Sequence, residues 1–320
     1  MKRFILRRCV MAVPLILAIT LFTFLLMYAC PGNFVTQLKS DPDVSAAYVK
    51  VLERQYGLDQ AWYVQYWLWL KNCFRGDFGV SWIYNLPVLS LFKQRVLATL
   101  MLALFSFALG WVIAIPCAIV AAYYRDNWFN KLFRSQACLC LCLPEFFVAL
   151  LAVWFATQTG WFPTIGRTSL NYENLSTWGR FLDLGWHLIL PSCVLSLGIF
   201  SNIFRLTYNY FLDHLRDPYV LTAQAKGVAM GAILFKHTLR NALNPLITHF
   251  GFAFANLLSG AVLVENIFNY PGLGQLLYEA FMNKDQYVVM GAIVLGSILL
   301  ILGNLLADIL LALNDPRLRH

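Results

Sequence analysis

Residues 219–227 read Tyr219-Val220-Leu221-Thr222-Ala223-Gln224-Ala225-Lys226-Gly227, inside a longer insert, 206–243, that also carries Asp213, Arg216, Asp217, Lys236 and Arg240. Strongly apolar stretches flank the insert on both sides. A polar segment set between two runs suited to lipid is where the chain leaves the bilayer, and it is the natural place to meet a soluble partner.

The composition agrees with that reading. Hydrophobic residues make up 60% of the 320 and charged residues 12%, more apolar material and less charge than a soluble core of this size needs. The protein is therefore expected to be an all-α integral membrane protein. A crossing helix needs about 20 apolar residues, and six runs qualify, near 9–29, 99–122, 136–158, 187–206, 245–266 and 287–312. The fourth is interrupted by His187, Pro191 and Asn202, but omitting it would put the two sides of the membrane in conflict.

Basic residues beside helix ends set the orientation. Lys2, Arg3, Arg7 and Arg8 precede the first run, Arg125, Lys131 and Arg134 fill the second-to-third connection, and Arg317 and Arg319 lie in the tail. Six spans put all of these on one side together with the 206–243 insert, so that side is expected to be cytoplasmic, with both termini on it. Lys93 and Arg95, at the outer end of the second run, fit least well. The first apolar run exceeds the 7 to 15 residues of a signal-peptide core, so it is expected to stay as a helix. The net charge of +8 is accounted for by these flanks, and no nucleic-acid partner is needed.

Chemistry-bearing constellations are absent from the sequence pattern. The eight cysteines form no CxxC pair and no zinc spacing, so no metal site is expected; Cys30 and Cys73, both on the outer side, could pair. The five histidines build no nucleophilic triad. No phosphate-binding GxxxxGK[ST] loop occurs, so any ATP that powers transport must be hydrolysed by another subunit. No cofactor is expected on this chain, and it is not expected to be an enzyme.

The outer segment 30–98 is too long for a mere connector. Residues 44–56 and 61–74 read as amphipathic helices, the second rich in interfacial aromatics (Trp62, Tyr63, Tyr66, Trp67, Trp69), and 86–98 as a third, entered at Pro87. Gly76-Asp77-Phe78-Gly79 turns the chain between them. The segment reads either as a cap lying on the bilayer or as a platform for an external protein or substrate.

Charge inside the runs is rare and therefore informative. Glu145 lies near the middle of the third, directly after Pro144, which tends to kink the helix. It either lines a water-filled path and favours cationic cargo or is a protonated or partnered structural carboxyl. Asp308 and Asn304 share a face of the last run and suit helix-to-helix hydrogen bonding, and Gly291, Ser297 and Gly303 suggest close packing there. Glu265 and Asn266, which with Pro144 and Glu145 are candidates to line the translocation path, end the fifth run and lead into Phe268-Asn269-Tyr270-Pro271-Gly272-Leu273-Gly274, a turn-rich stretch expected to shape the outer mouth.

Four stretches together carry a family resemblance: Gly57-Leu58-Asp59 with Gln65-Tyr66 and the Gly76-to-Gly79 turn; Tyr219-Val220 with Thr222 to Gly227; Val264 to Phe268 with Pro271-Gly272-Leu273-Gly274; and Asp315-Pro316-Arg317. In this order the chain resembles the B-type permease subunit of the dipeptide, oligopeptide and nickel group of ABC importers, over almost its whole length. The resemblance implies the type I ABC importer permease fold in a bacterial inner membrane, with an extracytoplasmic helical insertion at 30–98. It also implies that 206–243 is a coupling loop of the EAA type, docked on an ATPase subunit. Tyr219, Thr222, Ala223, Ala225, Lys226 and Gly227 would form that contact, and His237, Arg240, Asn241 and Pro245 follow where the motif runs into the next span. Leu221 stands where the general motif has glutamate. Implied partners are a second, C-type permease, two ABC ATPases that use the ATP, an extracytoplasmic substrate-binding protein and the bilayer. Peptides are the expected cargo, while nickel, polyamines and antimicrobial peptides also occur as cargo in such a family.

Two other classes compete with this reading. A secondary transporter or channel would usually show internal repeats or several charges at midplane, where Glu145 alone qualifies. A membrane-embedded hydrolase would need a nucleophile and base, or a metal-ligand pair.

Overall fold

The computed structural model describes residues 2–29, 45, 49–51, 54, 57, 59–215, 217–239, 242, 245–247, 249–250 and 261–314, with the backbone alone described at 2–9, 237 and 312–314. In chain order the helices are α1 (Lys2–Ala29), α2 (Trp62–Cys73), α3 (Val88–Tyr123), α4 (Trp128–Cys142), α5 (Glu145–Thr159), α6 (Thr177–His214), α7 (Pro218–Ala225), α8 (Met230–Ala232, continued by a π-helical turn at Ile233–Thr238), α9 (Leu273–Met282) and α10 (Gln286–Asn314). Residues 261–267 are helical as well. Among the described residues there is no strand, only an isolated bridge between Val80 and Pro87.

Helices α1, α3, α6 and α10 are each long and apolar enough to cross a membrane, and α4 with α5 form a pair bent by 103°. Half of the expected span at 245–266 lies outside the described residues. Two expectations need correction. The helix expected at 86–98 and the span at 99–122 are one helix of 36 residues, α3. At 1.5 Å per residue it is about 54 Å long, well beyond a hydrocarbon core of about 30 Å. Lys93, Gln94 and Arg95 look like a boundary by polarity, but all three are good helix formers and nothing there breaks the backbone. The third expected span, 136–158, is not one rod: Leu143 is extended (φ −84°, ψ 124°) and Pro144 caps a new helix. A residue before proline is pushed out of the helical region, so the break falls at Leu143.

The chain forms two compact units, residues 2–98 with 271–301 and residues 99–270 with those from 302 onward. In the first, α2 packs on α1. The Tyr66 hydroxyl lies 3.0 Å from Thr20 Oγ1 and donates to the Leu17 carbonyl, and its ring meets Phe24 edge-on. Trp69 is buried, while Tyr63 and Trp67 are exposed on the other face. A helix expected at 61–74 is therefore present, and the one expected at 44–56 falls mostly outside the described residues. So does Cys30, the suggested partner of Cys73. In the core of this unit α10 closes on α3 where Gly291 has no side chain: a Cβ there would lie 3.0 Å from the Phe92 ring.

The polar anchor of this unit is Asp285, fully buried between α9 and α10. Its carboxylate accepts hydrogen bonds from Ser81 Oγ (2.5 Å) and from the backbone N–H of Trp82 (2.9 Å), Ile83 (3.3 Å) and Val288 (3.3 Å). Ser81 Oγ in turn accepts from the Tyr84 N–H. Burial pushes the Asp285 carboxyl above its ordinary range, and these four hydrogen bonds work against that push. Beside it the Tyr84 hydroxyl donates to Glu279 at 2.5 Å, and burial followed by that bond raises it to about 12. Helix α9, which begins at the end of the stretch expected to be turn, thus joins the loop at 81–84 through Glu279, and Asp285 holds the same loop from just beyond the helix.

In the second unit α6 is the central helix, with Val194, Leu195, Ile199, Ile203, Phe204 and Phe211 buried. Ser176 caps it by accepting the Gly179 N–H, and Pro191 lies inside it. Ser201 Oγ donates to the Ala137 carbonyl of α4 at 2.6 Å. Helix α3 comes close where Gly110 faces Ile199, since a Cβ there would lie 2.8 Å from Ile199 Cγ2.

An Asp285→Asn protein keeps the shape but turns an NH2 group toward backbone donors. It should lose about 1–3 kcal/mol, read as a lower thermal midpoint in detergent, while Asp59→Asn on the exposed surface leaves that midpoint unchanged.

Candidate functional site

The insert 206–243 is folded as a helix, a tight turn and a second helix. Asp217 ends the link from α6 and starts α7, whose first position is Pro218. Proline is favoured there because its missing N–H would have no partner in the first turn and its φ is already helical. Val220 points inward, fully buried, and so do Ile233 and Leu234 of the second arm. These residues hold the two arms down. The exposed surface of the insert carries Leu221, Thr222, Gln224, Ala225, Val228 and Phe235.

Gly227 makes the turn. Its φ is +74°, and a Cβ there would meet nothing within 4 Å, so the glycine is required by the backbone and not by crowding. The Val228 N–H donates to the Ala223 carbonyl (3.1 Å) and the Gly227 N–H to the Gln224 carbonyl (2.9 Å). That is the paired termination of a Schellman turn, which satisfies the last carbonyls of α7. The same device ends α2: Asp77 N–H to Asn72 O and Gly76 N–H to Cys73 O, with Gly76 at φ +82°. Asp77 Oδ1 then accepts the Gly79 N–H, and Gly79 (φ +91°) lies so near Tyr287 that a Cβ would come within 2.9 Å of its ring.

Of the remaining residues expected in the insert, Tyr219 and Ala223 are half-buried and Lys226 is exposed at the C-cap. His237 lies in the π-helical turn and Pro245 in a helical stretch, while Arg240 and Asn241 fall outside the described residues. Asp315, Pro316 and Arg317 fall outside them too. Asp308 is half-buried on α10.

Two residues expected along a path occupy different surroundings from those foreseen. Glu145 is not mid-helix; it is the first residue of α5, where a carboxylate is favoured by the positive end of the helix dipole. It is exposed, with Oε1 3.1 Å from the point where a Cβ on Gly198 would be. The chain itself gives it no ion pair among the described residues. Glu265, by contrast, is fully buried and accepts a hydrogen bond from Thr99 Oγ1 at 2.6 Å. Its carbonyl accepts the Tyr270 N–H at 2.7 Å, which fixes the bend at Asn269 (φ +46°). Glu265 is therefore an interior anchor, closed to solvent in this structure. Asn266 is half-buried and donates to the Val262 carbonyl of its own helix. Beyond the bend, Gly272 caps α9 and Gly274 is buried in its first turn, with Pro271 leading in.

A model of the binding-protein-dependent transport system inner membrane component matches residues 114–320, and the N-terminal model of the same transport systems matches 1–104. The chain belongs to this permease family. Over 322 residues it is 38% identical to the oligopeptide transport system permease protein AppB of Bacillus subtilis (strain 168), covering all of both chains. It is 32% identical, again over the whole of both chains, to the glutathione transport system permease protein GsiC of Escherichia coli (strain K12). Among solved structures, a chain of the MetNI methionine ABC transporter in an inward-facing conformation superposes with a TM-score of 0.57, covering 71% of this permease and 97% of that chain. At 19% identity this likeness speaks for the fold alone. The permease is thus an all-helical membrane protein with the ABC importer permease fold.

If the exposed Glu145 carboxylate meets cargo as a charge, Glu145→Gln should lower uptake of a cationic cargo several-fold more than that of a neutral one. Equal loss for both, or none, would show that its charge plays no part in cargo selection.

Proposed function

We propose that the permease imports peptides across a bacterial inner membrane, as one half of the translocation path of an ATP-driven transporter. The observation that carries this is full-length similarity to permeases of oligopeptide, dipeptide and glutathione transport systems. The basic residues at 125, 131, 134 and in the 206–243 insert support a cytoplasmic side that also holds both termini. A second, C-type permease completes the path, an external binding protein delivers the peptide, and the segment 30–98 lies on the outer face.

ATP is bound and hydrolysed by two partner ATPases, and the insert couples this chain to one of them. Its exposed face, bearing Leu221, Val228 and Phe235 among small and polar residues, has the character of a docking surface: apolar anchors in a polar rim. The buried side chains beneath tie that face to the rest of the insert, so a force on it moves both arms. Closure of the ATPases then tilts the spans as rigid bodies and switches access to the path. The chain performs no covalent chemistry.

Gly227 isolates the coupling step from folding. Gly227→Val forces a β-branched residue into a left-handed conformation at a cost of about 1–2 kcal/mol, with no steric clash elsewhere. The variant should insert at normal levels and retain less than a tenth of ATP-dependent peptide uptake in vesicles, with Gly227→Asn close to wild type because asparagine tolerates that conformation. Normal uptake by Gly227→Val would remove the coupling assignment.

A further inference from the structure

Among the described residues, the connection between α5 and α6 holds a cation, Arg167, that forms no ion pair. Arg167 Nε is buried without a hydrogen-bond acceptor, and Nη2 meets only the thioether of Met101, at 3.6 Å. A guanidinium offers five donors in a rigid fork suited to a carboxylate, and leaving the buried Nε donor unmet is costly. The nearby acids are committed elsewhere. Asp183 Oδ2 accepts the Ser169 N–H at 2.9 Å and Oδ1 lies 3.6 Å from His187, while Glu265 takes the Thr99 hydroxyl. Neither forms an ion pair with Arg167. Burial pushes the Tyr270 hydroxyl up to about 12, with Arg167 acting in the opposite direction and Glu265 adding to the push, so the guanidinium charge is felt at the bend.

The loop around Arg167 is built to hold it still. On one side Gly166, at φ +87°, donates its N–H to the Phe268 carbonyl at 2.9 Å; on the other Ser169 is fixed to Asp183. Phe162 stacks on Trp186 at 5.1 Å and fastens the approach to the loop. A cation pinned from both sides yet lacking an anion is preorganised for one that arrives from outside.

We infer that Arg167 is a carboxylate-binding residue at the outer mouth, receiving the C-terminal carboxylate of an incoming peptide. The inference rests on the peptide reading and on the outward placement of the α5–α6 connection. Met101, at the outer end of the membrane part of α3, keeps one edge of the guanidinium dry, which strengthens a charge-assisted bond.

The test uses the complete transporter in liposomes, with its binding protein saturated beforehand by tri-alanine or by tri-alanine amide, so that capture by the binding protein drops out. Wild type should import the free acid about tenfold faster than the amide. Arg167→Gln should import both at the rate wild type shows for the amide, and Arg167→Lys should recover part of the preference. Loss of amide uptake in Arg167→Gln would assign the residue to structure and overturn the inference, as would an unchanged acid-to-amide ratio. If wild type imports neither peptide, the peptide reading fails and the inference with it; equal import of both by wild type removes the inference alone.

Discussion

In hydrocarbon no water is available to a backbone N–H or C=O, so every helix that enters the bilayer must satisfy its own groups and every end must be dealt with. The whole permease is arranged around that constraint. Its spans are long helices whose side chains are nearly all apolar, and its irregular features are concentrated where helices stop. Two ends, at Gly76 and Gly227, are closed by the same pair of backbone bonds across a glycine with positive φ. A third, at Leu143, is imposed by the proline that follows it. The candidate functional residues gather at such places, where the chain offers polar groups and a change of direction.

Within the two units the same economy governs buried polarity. Asp285 and Glu265 are both fully buried carboxyls, each bonded to a hydroxyl far away in sequence, Ser81 and Thr99. Each sits beside a turn between helices and fixes it. Breaking such a pair leaves a buried charge unmet, which costs more than the pair itself contributes. These acids are best understood as clamps on the turns that set helix direction. Glu145 and Arg167 differ in kind: one is exposed at a helix start, the other half-buried, and among the described residues neither is answered by an ion pair.

Much of this was legible in the residues themselves. Composition alone dictated helices in lipid, and the polar insert declared itself by contrast with its flanks; the glycine at 227 was readable as a turn because little else tolerates that backbone. Other features were hidden for physical reasons. Lys93 and Arg95 suggested a boundary that helix propensity overrode. Pro271, Gly272 and Gly274 read as a turn, yet proline and glycine stand at the entrance to α9, a position where both are compatible with a helix. The burial of Glu265 depends on Thr99, 166 residues away, and no local pattern reports such a partner. Arg167 escaped notice because an arginine in a polar connection is unremarkable until its missing acceptor is seen.

On the proposed function, the exposed face of the 206–243 insert docks on an ATPase subunit. A photo-crosslinking amino acid placed at Ala225, in the complete transporter within its native membrane, tests this contact directly. An adduct with the ATPase from position 225, and none from a control at exposed Trp178 in the α5–α6 region, is the predicted result. No adduct at 225, or an equal one at 178, would contradict the account.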